Sequence, residues 1–202
     1  MNRQWTSVGL IVGGLVLGAA ALVKYGPVPE GAEVGKRAPD FEAVNLVSGD
    51  SVSFQRDYDG QVTLVNIWAT WCAPCRAEMP AMEELYQAFK GEGFRIAAVS
   101  VDEGKPDDVM AFARELNLTF DILHDRDGAI QQRYMTTGVP ESFLIDRNGV
   151  IVRKQLGEHP WSSPANRRIV EQLLGIAPVA GAANSASPAP AASELELKGS
   201  GG

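Results

Sequence analysis

The stretch Trp68-Ala-Thr-Trp-Cys72-Ala-Pro-Cys75-Arg-Ala-Glu78 decides how this chain is read. Before it runs Val62–Trp68, almost continuously apolar, the pattern of a central strand buried on both faces. After it, Met79, Met82, Leu85, Tyr86 and Phe89 recur on one face of a helix. The two methionines there read as core packing rather than as a soft metal site. The cysteines therefore fall where a buried strand ends and a helix begins, which is where open α/β sheets build their sites. Cys72 lies at or just before the helix start, where free N–H groups and the helix dipole favour a thiolate. Thiolate is the nucleophile of disulfide exchange. Cys75 follows one turn later, can reach Cys72, and can resolve a mixed disulfide from the same turn. Pro74 sits in the first turn, where its missing N–H costs little, and stiffens the link between the sulfurs.

Other readings of the pair are weaker. A structural disulfide closing so short a loop constrains the unfolded chain little. Zinc needs two more ligands, and His124 and His159, the only histidines, do not have finger-like spacing. Two unrelated buried cysteines leave Trp68 and Trp71 unexplained. The residues favour redox chemistry, with no metal and no organic cofactor. Two alternatives stay open. One is a copper-binding module, since Cu(I) suits thiolates joined by a histidine. The other is a peroxiredoxin-like peroxidase, against which a tryptophan-flanked pair at a helix start argues.

Outward from the pair, strand and helix periods alternate. Phe41–Leu46 and Val52–Phe54 read as short strands split by the turn signal Ser48-Gly49-Asp50. Gly91 and Gly93 end the first helix, and Phe94–Val101 is a second buried strand. Val109, Phe112, Ala113 and Leu116 mark a helix from near Pro106, and Phe120–Leu123 a further strand. Phe143–Asp146 and Val150–Lys154 flank Asn148-Gly149, which predicts a hairpin with a tight primed turn. Ile169, Val170, Leu173 and Leu174 form a closing helix. The fold class is α/β with a mixed sheet flanked by helices, over residues 40–175.

The ends differ from this middle. From Trp5 to Val23 no residue is charged, and nineteen residues at about 1.5 Å each approach the thickness of a bilayer core. Residues 1–24 read as a membrane anchor or a signal segment, with Arg3 favouring a cytoplasmic N-terminus. Residues 25–39 read as a linker, and 176–202 as a disordered Ala/Pro/Ser-rich tail. The 18 basic and 25 acidic side chains leave a net charge of −7. An acidic chain without basic clusters is a poor nucleic-acid binder.

Leu64-Val-Asn-Ile-Trp-Ala-Thr-Trp-Cys-Ala-Pro-Cys-Arg-Ala-Glu-Met-Pro80 resembles the TlpA/ResA-like thiol-disulfide oxidoreductases of the thioredoxin superfamily. Gly35-Lys-Arg-Ala-Pro-Asp-Phe41 looks like that family's opening motif, and Gly138-Val-Pro-Glu-Ser-Phe-Leu-Ile-Asp-Arg-Asn-Gly149 like its cis-proline segment. The motifs stand in family order and cover roughly 34–174. Pro140-Glu141 is also similar to the CcmG/DsbE-type thioredoxins of cytochrome c maturation.

The resemblance implies a thioredoxin fold with an N-terminal β-hairpin extension and a transmembrane helix before it. It implies a redox-active Cys72–Cys75 disulfide, with Cys72 the exposed attacking cysteine and Cys75 the buried resolving one. Pro140 would be a cis-proline facing the disulfide, leaving the Val139 backbone free to pair with an extended substrate. Trp71 would cover the disulfide, with Ala73 and Pro74 on the substrate side. Asn66 departs from ordinary thioredoxin, where a buried Asp six residues before the first cysteine accepts a proton. An Asn cannot do so. Glu78, on the helical face of Cys75, is the candidate replacement. A solvated first-turn acid is its plainer reading. Glu141 either lines the substrate groove or is a surface acid at a strand start. The implied process is reduction of disulfides in exported proteins such as apocytochrome c, fed by a DsbD/CcdA-like membrane electron donor.

Overall fold

A computed structural model of the chain describes residues 2–25 and 31–176. The first segment is a single helix, α1 (Asn2–Tyr25). The anchor expectation is met only in its helical form: among the described residues no helix is long and apolar enough to cross a membrane. The expected tail lies outside the described residues from 177 onward, as do residues 26–30 of the expected linker.

Residues 31–176 carry seven strands and five further α-helices. In chain order they are β1 (Glu42–Asn45), β2 (Ser51–Ser53), α2 (Phe54–Asp57), β3 (Val62–Trp68), α3 (Ala73–Phe89), β4 (Phe94–Ser100) and α4 (Pro106–Glu115). Then follow β5 (Asp121–His124), α5 (Ala129–Arg133), β6 (Glu141–Ile145), β7 (Ile151–Leu156) and α6 (Pro164–Leu174). The strands form one sheet in the order β2-β1-β5-β4-β3-β6-β7. β3, β4 and β5 are parallel, while β6, β7, β1 and β2 join antiparallel to their neighbours. The expected N-terminal hairpin is β1–β2, attached to β5.

The two-residue period of a strand sends alternate side chains of β3 to opposite faces. Leu64 and Trp68 face the core under α3, α4 and α6, with Met79, Met82, Leu85, Phe112 and Val170. Val65 and Ile67 face a second core, with Phe41, Phe54, Tyr58, Ile130 and Tyr134. Both faces are covered, so all seven residues of β3 are buried. Asn66 has the parity of Leu64 and Trp68, which turns this one polar side chain of the strand toward α3.

Three expectations are corrected. Residues 31–39 do not form a free linker: Gly35 N–H donates to Ile151 O at 2.8 Å, Ile151 N–H to Lys36 O at 2.9 Å, and Ala32 is buried. The β6–β7 hairpin exists, but its turn is not a primed one. Gly149 has φ +75° while Asn148 does not take positive φ, and Asp146 Oδ1 instead accepts from the N–H groups of Asn148 and Val150. Phe54 opens α2 rather than ending a strand, because Ser53 caps it through Arg56 N–H.

Candidate active site

The junction of β3 with α3 builds the site. After Trp68 the chain bends through Ala69-Thr70-Trp71, and Cys72 becomes the N-cap of α3. Cys72 N–H donates to Ala69 O at 3.2 Å, and its Sγ accepts from Cys75 N–H at 3.2 Å. A sulfur so placed meets the positive end of the helix. Cys72 and Cys75 are joined as a disulfide with Cα atoms 5.3 Å apart. Exposure separates the two sulfurs less than expected: Cys72 is 5% exposed and Cys75 0%. The packed strand–helix junction leaves only an edge of Cys72 at the surface. Ala73 and Pro74 are exposed beside it. Trp71 is 71% exposed, so its ring stands in solvent rather than lying down as a cover. Trp68 is fully buried, its ring centroid 4.9 Å from that of Phe112.

Asp102, just beyond β4, ties the bend down. Its carboxylate accepts from Thr70 N–H at 2.9 Å, Thr70 Oγ1 at 2.6 Å and Ser100 Oγ at 2.7 Å. The local sequence carries no signal of this contact, because Asp102 and Thr70 meet only through the pairing of β3 with β4.

Pro140 enters from the neighbouring strand. The Val139–Pro140 peptide is cis, and β6 begins at the next residue. Glu141 pairs with Ile67, so Pro140 lies one step further along, at the end of β3 from which the cysteine bend departs. Val139 is half-buried and Pro140 buried.

Glu78 lies on α3 one turn beyond Cys75 and is only 2% exposed, not a solvated first-turn acid. Its Oε1 accepts from Asn66 Nδ2 at 2.8 Å and its Oε2 from His159 N–H at 3.2 Å. Asn66 Nδ2 also donates to Ser142 Oγ at 2.8 Å, its register partner on β6. Burial pushes the Glu78 carboxyl up to about 7, against the pull of Asn66, the His159 N–H and the Trp161 indole, and with a further push from Glu158. The Trp161 indole nitrogen is buried and falls short of a full hydrogen bond to any group. His159 and Trp161 lie some eighty residues from Glu78, and nothing in the local sequence signals the meeting.

Glu141 is neither a groove residue nor a surface acid. It is 1% exposed, its Oε1 pairs with Lys154 Nζ at 3.0 Å, and its Oε2 accepts from Thr137 N–H at 3.2 Å. The physical reason is its strand position: β6 is covered on both faces. The histidines are engaged elsewhere: His124 Nε2 lies 2.7 Å from Asp102 O, and the His159 ring faces Asn166. Among the described residues no three His, Cys, Asp or Glu side chains gather so as to hold a metal ion, so the copper reading gains no third ligand there.

A parallel core sheet carrying a cysteine pair at a helix start, with a cis-proline on the adjacent strand, defines a thioredoxin-like thiol-disulfide exchange site. The chain belongs to the AhpC/TSA family, whose sequence profile matches residues 34–154. It is 36% identical over 169 residues to the thiol-disulfide oxidoreductase ResA of Bacillus cereus, taking in 84% of this chain and 92% of that one. It is 40% identical over 131 residues to the thioredoxin-like protein YneN of Bacillus subtilis, covering 63% and 74% of the two chains. Among solved structures it is similar to a Chlorobium tepidum protein assigned as the thiol:disulfide interchange protein DsbE. The TM-score is 0.60 and the identity 34%, over 70% of this chain and 95% of that one. Fold, cysteine pair and relatives agree on thiol-disulfide oxidoreductase activity.

Proposed function

We propose that this oxidoreductase works outside the cytoplasm as a reductant of other proteins' disulfides. The observation that carries the reading is a buried carboxylate, Glu78, one turn beyond Cys75 and unmatched by a cation among the described residues. A reductant must turn the Cys75 thiol into a nucleophile, and such a carboxylate can take its proton.

In the cycle, the Cys72 thiolate attacks one sulfur of a substrate disulfide, and the other substrate sulfur leaves as thiolate. Cys75 then gives its proton to Glu78 and attacks Cys72 Sγ. The Cys72–substrate bond breaks and the second substrate sulfur departs. Two electrons pass from the dithiol to the substrate, and the Cys72–Cys75 disulfide forms. Val139 and Pro140 hold the extended substrate backbone, since a proline cannot complete a ladder bond at that position. Trp71, Ala73 and Pro74 supply an exposed contact surface beside Cys72.

Restoring the dithiol takes a DsbD/CcdA-like donor in the membrane, and the substrates include apocytochrome c during cytochrome c maturation. The uncharged sequence run Trp5–Val23, with Arg3 before it, is what supports a single-pass inner-membrane anchor with the domain on the periplasmic side, although no described helix is long and apolar enough to cross a membrane. Capture with Cys75→Ser tests the assignment. The variant is expected to hold exported proteins, apocytochrome c among them, as mixed disulfides on Cys72. A midpoint near the −120 mV or so of the oxidant DsbA would overturn the reducing direction.

A further inference from the structure

The turn from β7 into α6 carries His159, Pro160 and Trp161, far in sequence from the cysteines. Its inner side meets Glu78. The His159 N–H donates to Glu78 Oε2 at 3.2 Å. The Trp161 side chain is 1% exposed and shares one core cluster with Cys72, Cys75 and Met79. Its indole N–H is buried and completes no hydrogen bond, to Glu78 or to any other described group, yet it lies close enough to favour the charged form of the same carboxylate. The outer side of the turn is pinned. Asn166, 4% exposed in α6, donates from Nδ2 to Pro160 O at 2.7 Å and lies with that nitrogen 3.0 Å from His159 Nε2. Its Oδ1 accepts from Arg153 Nη1 at 2.8 Å.

We infer that the His159-Pro160-Trp161 turn, pinned by Asn166, is a positioning element that presents N–H donors to Glu78 and stabilises its charged form. The inference rests on the reading of Glu78 as proton acceptor for Cys75. A buried carboxyl without donors stays protonated well above neutral pH and is useless as a base. Donors lower the cost of its charge without supplying a counter-ion that would lock it. The groups facing Glu78 are accounted for on each side. From β3 comes Asn66, backed by Ser142 of β6. From the turn comes Glu158, whose charge opposes ionisation. Arg153 of β7 is committed to Asn166, and the His159 ring, held below its ordinary value by burial, faces Asn166 as well. On α3 itself lie the two cysteines.

The test is an NMR titration of the oxidised full chain, following the Glu78 carboxyl carbon and the Trp161 indole N–H together. Both are expected to move with one midpoint, and the indole response is expected to vanish in Glu78→Gln. An indole signal indifferent to the Glu78 titration overturns the inference, and this measurement needs no variant that must fold around a cavity. Trp161→Phe removes the N–H while keeping most of the ring. Its Glu78 midpoint is expected to rise by about half to one unit, and the pH profile of mixed-disulfide resolution to rise with it. An unmoved midpoint in folded Trp161→Phe overturns the inference. A midpoint that moves while the resolution profile stays put upholds the positioning role and removes Glu78 from the proton transfer.

Discussion

Two glutamates flank the exchange site, both almost fully buried, and they are held in opposite ways. Glu141, next to Pro140, has a counter-ion in Lys154 at 3.0 Å. Glu78, next to the cysteines, has neutral donors and a neighbouring acid. A buried carboxylate with its cation is a fixed part of the structure, and breaking such a pair is costly. One held only by neutral dipoles sits where small changes decide its protonation, as a proton acceptor requires. Burial alone therefore does not mark the reactive acid. A missing cation, where donors are too few to take its place, does.

The largest expected effect separates the two acids by rate. Glu78→Gln should slow resolution of a Cys72 mixed disulfide about 10³-fold at neutral pH, the middle of the range for a lost general base. Glu141→Gln should change it only a few-fold. Rapid-mixing kinetics on a preformed mixed disulfide measure both, and equal losses would break the comparison.

The next effect is on stability against pH. The folded Glu78 carboxyl, at about 7, lies above its ordinary 4.5. The fold favours its protonated form, so this contribution is fully present below about 4.5 and is lost as pH rises through 7. The loss is on the order of 3 kcal/mol. Denaturant unfolding of the oxidised protein should show that decline relative to Glu78→Gln, which lacks it. Parallel curves for the two proteins would contradict the buried, cation-free environment.

Lys154→Met makes the converse change by stranding Glu141. A fully buried pair would cost more, but Lys154 is about a third exposed. Roughly 2 kcal/mol is expected, read from the same unfolding curves. The smallest effect sharpens the rule with a third acid. Asp102 is buried and also lacks a cation among its hydrogen-bond partners, but three donors at 2.6–2.9 Å hold its carboxylate, one more than Glu78 has. Asp102→Asn should cost about 1 kcal/mol and leave the midpoint of the resolution profile in place.

What could be read from the chain followed the range of each signal. Val62–Trp68 was legible because a strand covered on both faces writes a continuous apolar run. Glu78 on the face of Cys75 was legible because helical spacing is local. The short helices α2 and α5 are too brief to write a period. The burial of Glu141 was hidden by register. Glu141 pairs with Leu156, which brings Lys154 diagonally across the β6–β7 hairpin. Reading Asn148-Gly149 as a tight primed turn leaves that register wrong, since the Asp146 side chain builds a longer loop. Asp102, His159 and Trp161 reach the site only through strand pairing and helix docking, so no window of sequence contains them beside their partners.

The most direct measurement is the pH dependence of mixed-disulfide resolution by Cys75, in the wild-type chain and in Glu78→Gln. The wild-type rate should climb through about pH 7 to a plateau as Glu78 ionises. The variant should lose that inflection and stay slow across the same range. Superimposable profiles would contradict a proton transfer from Cys75 to Glu78.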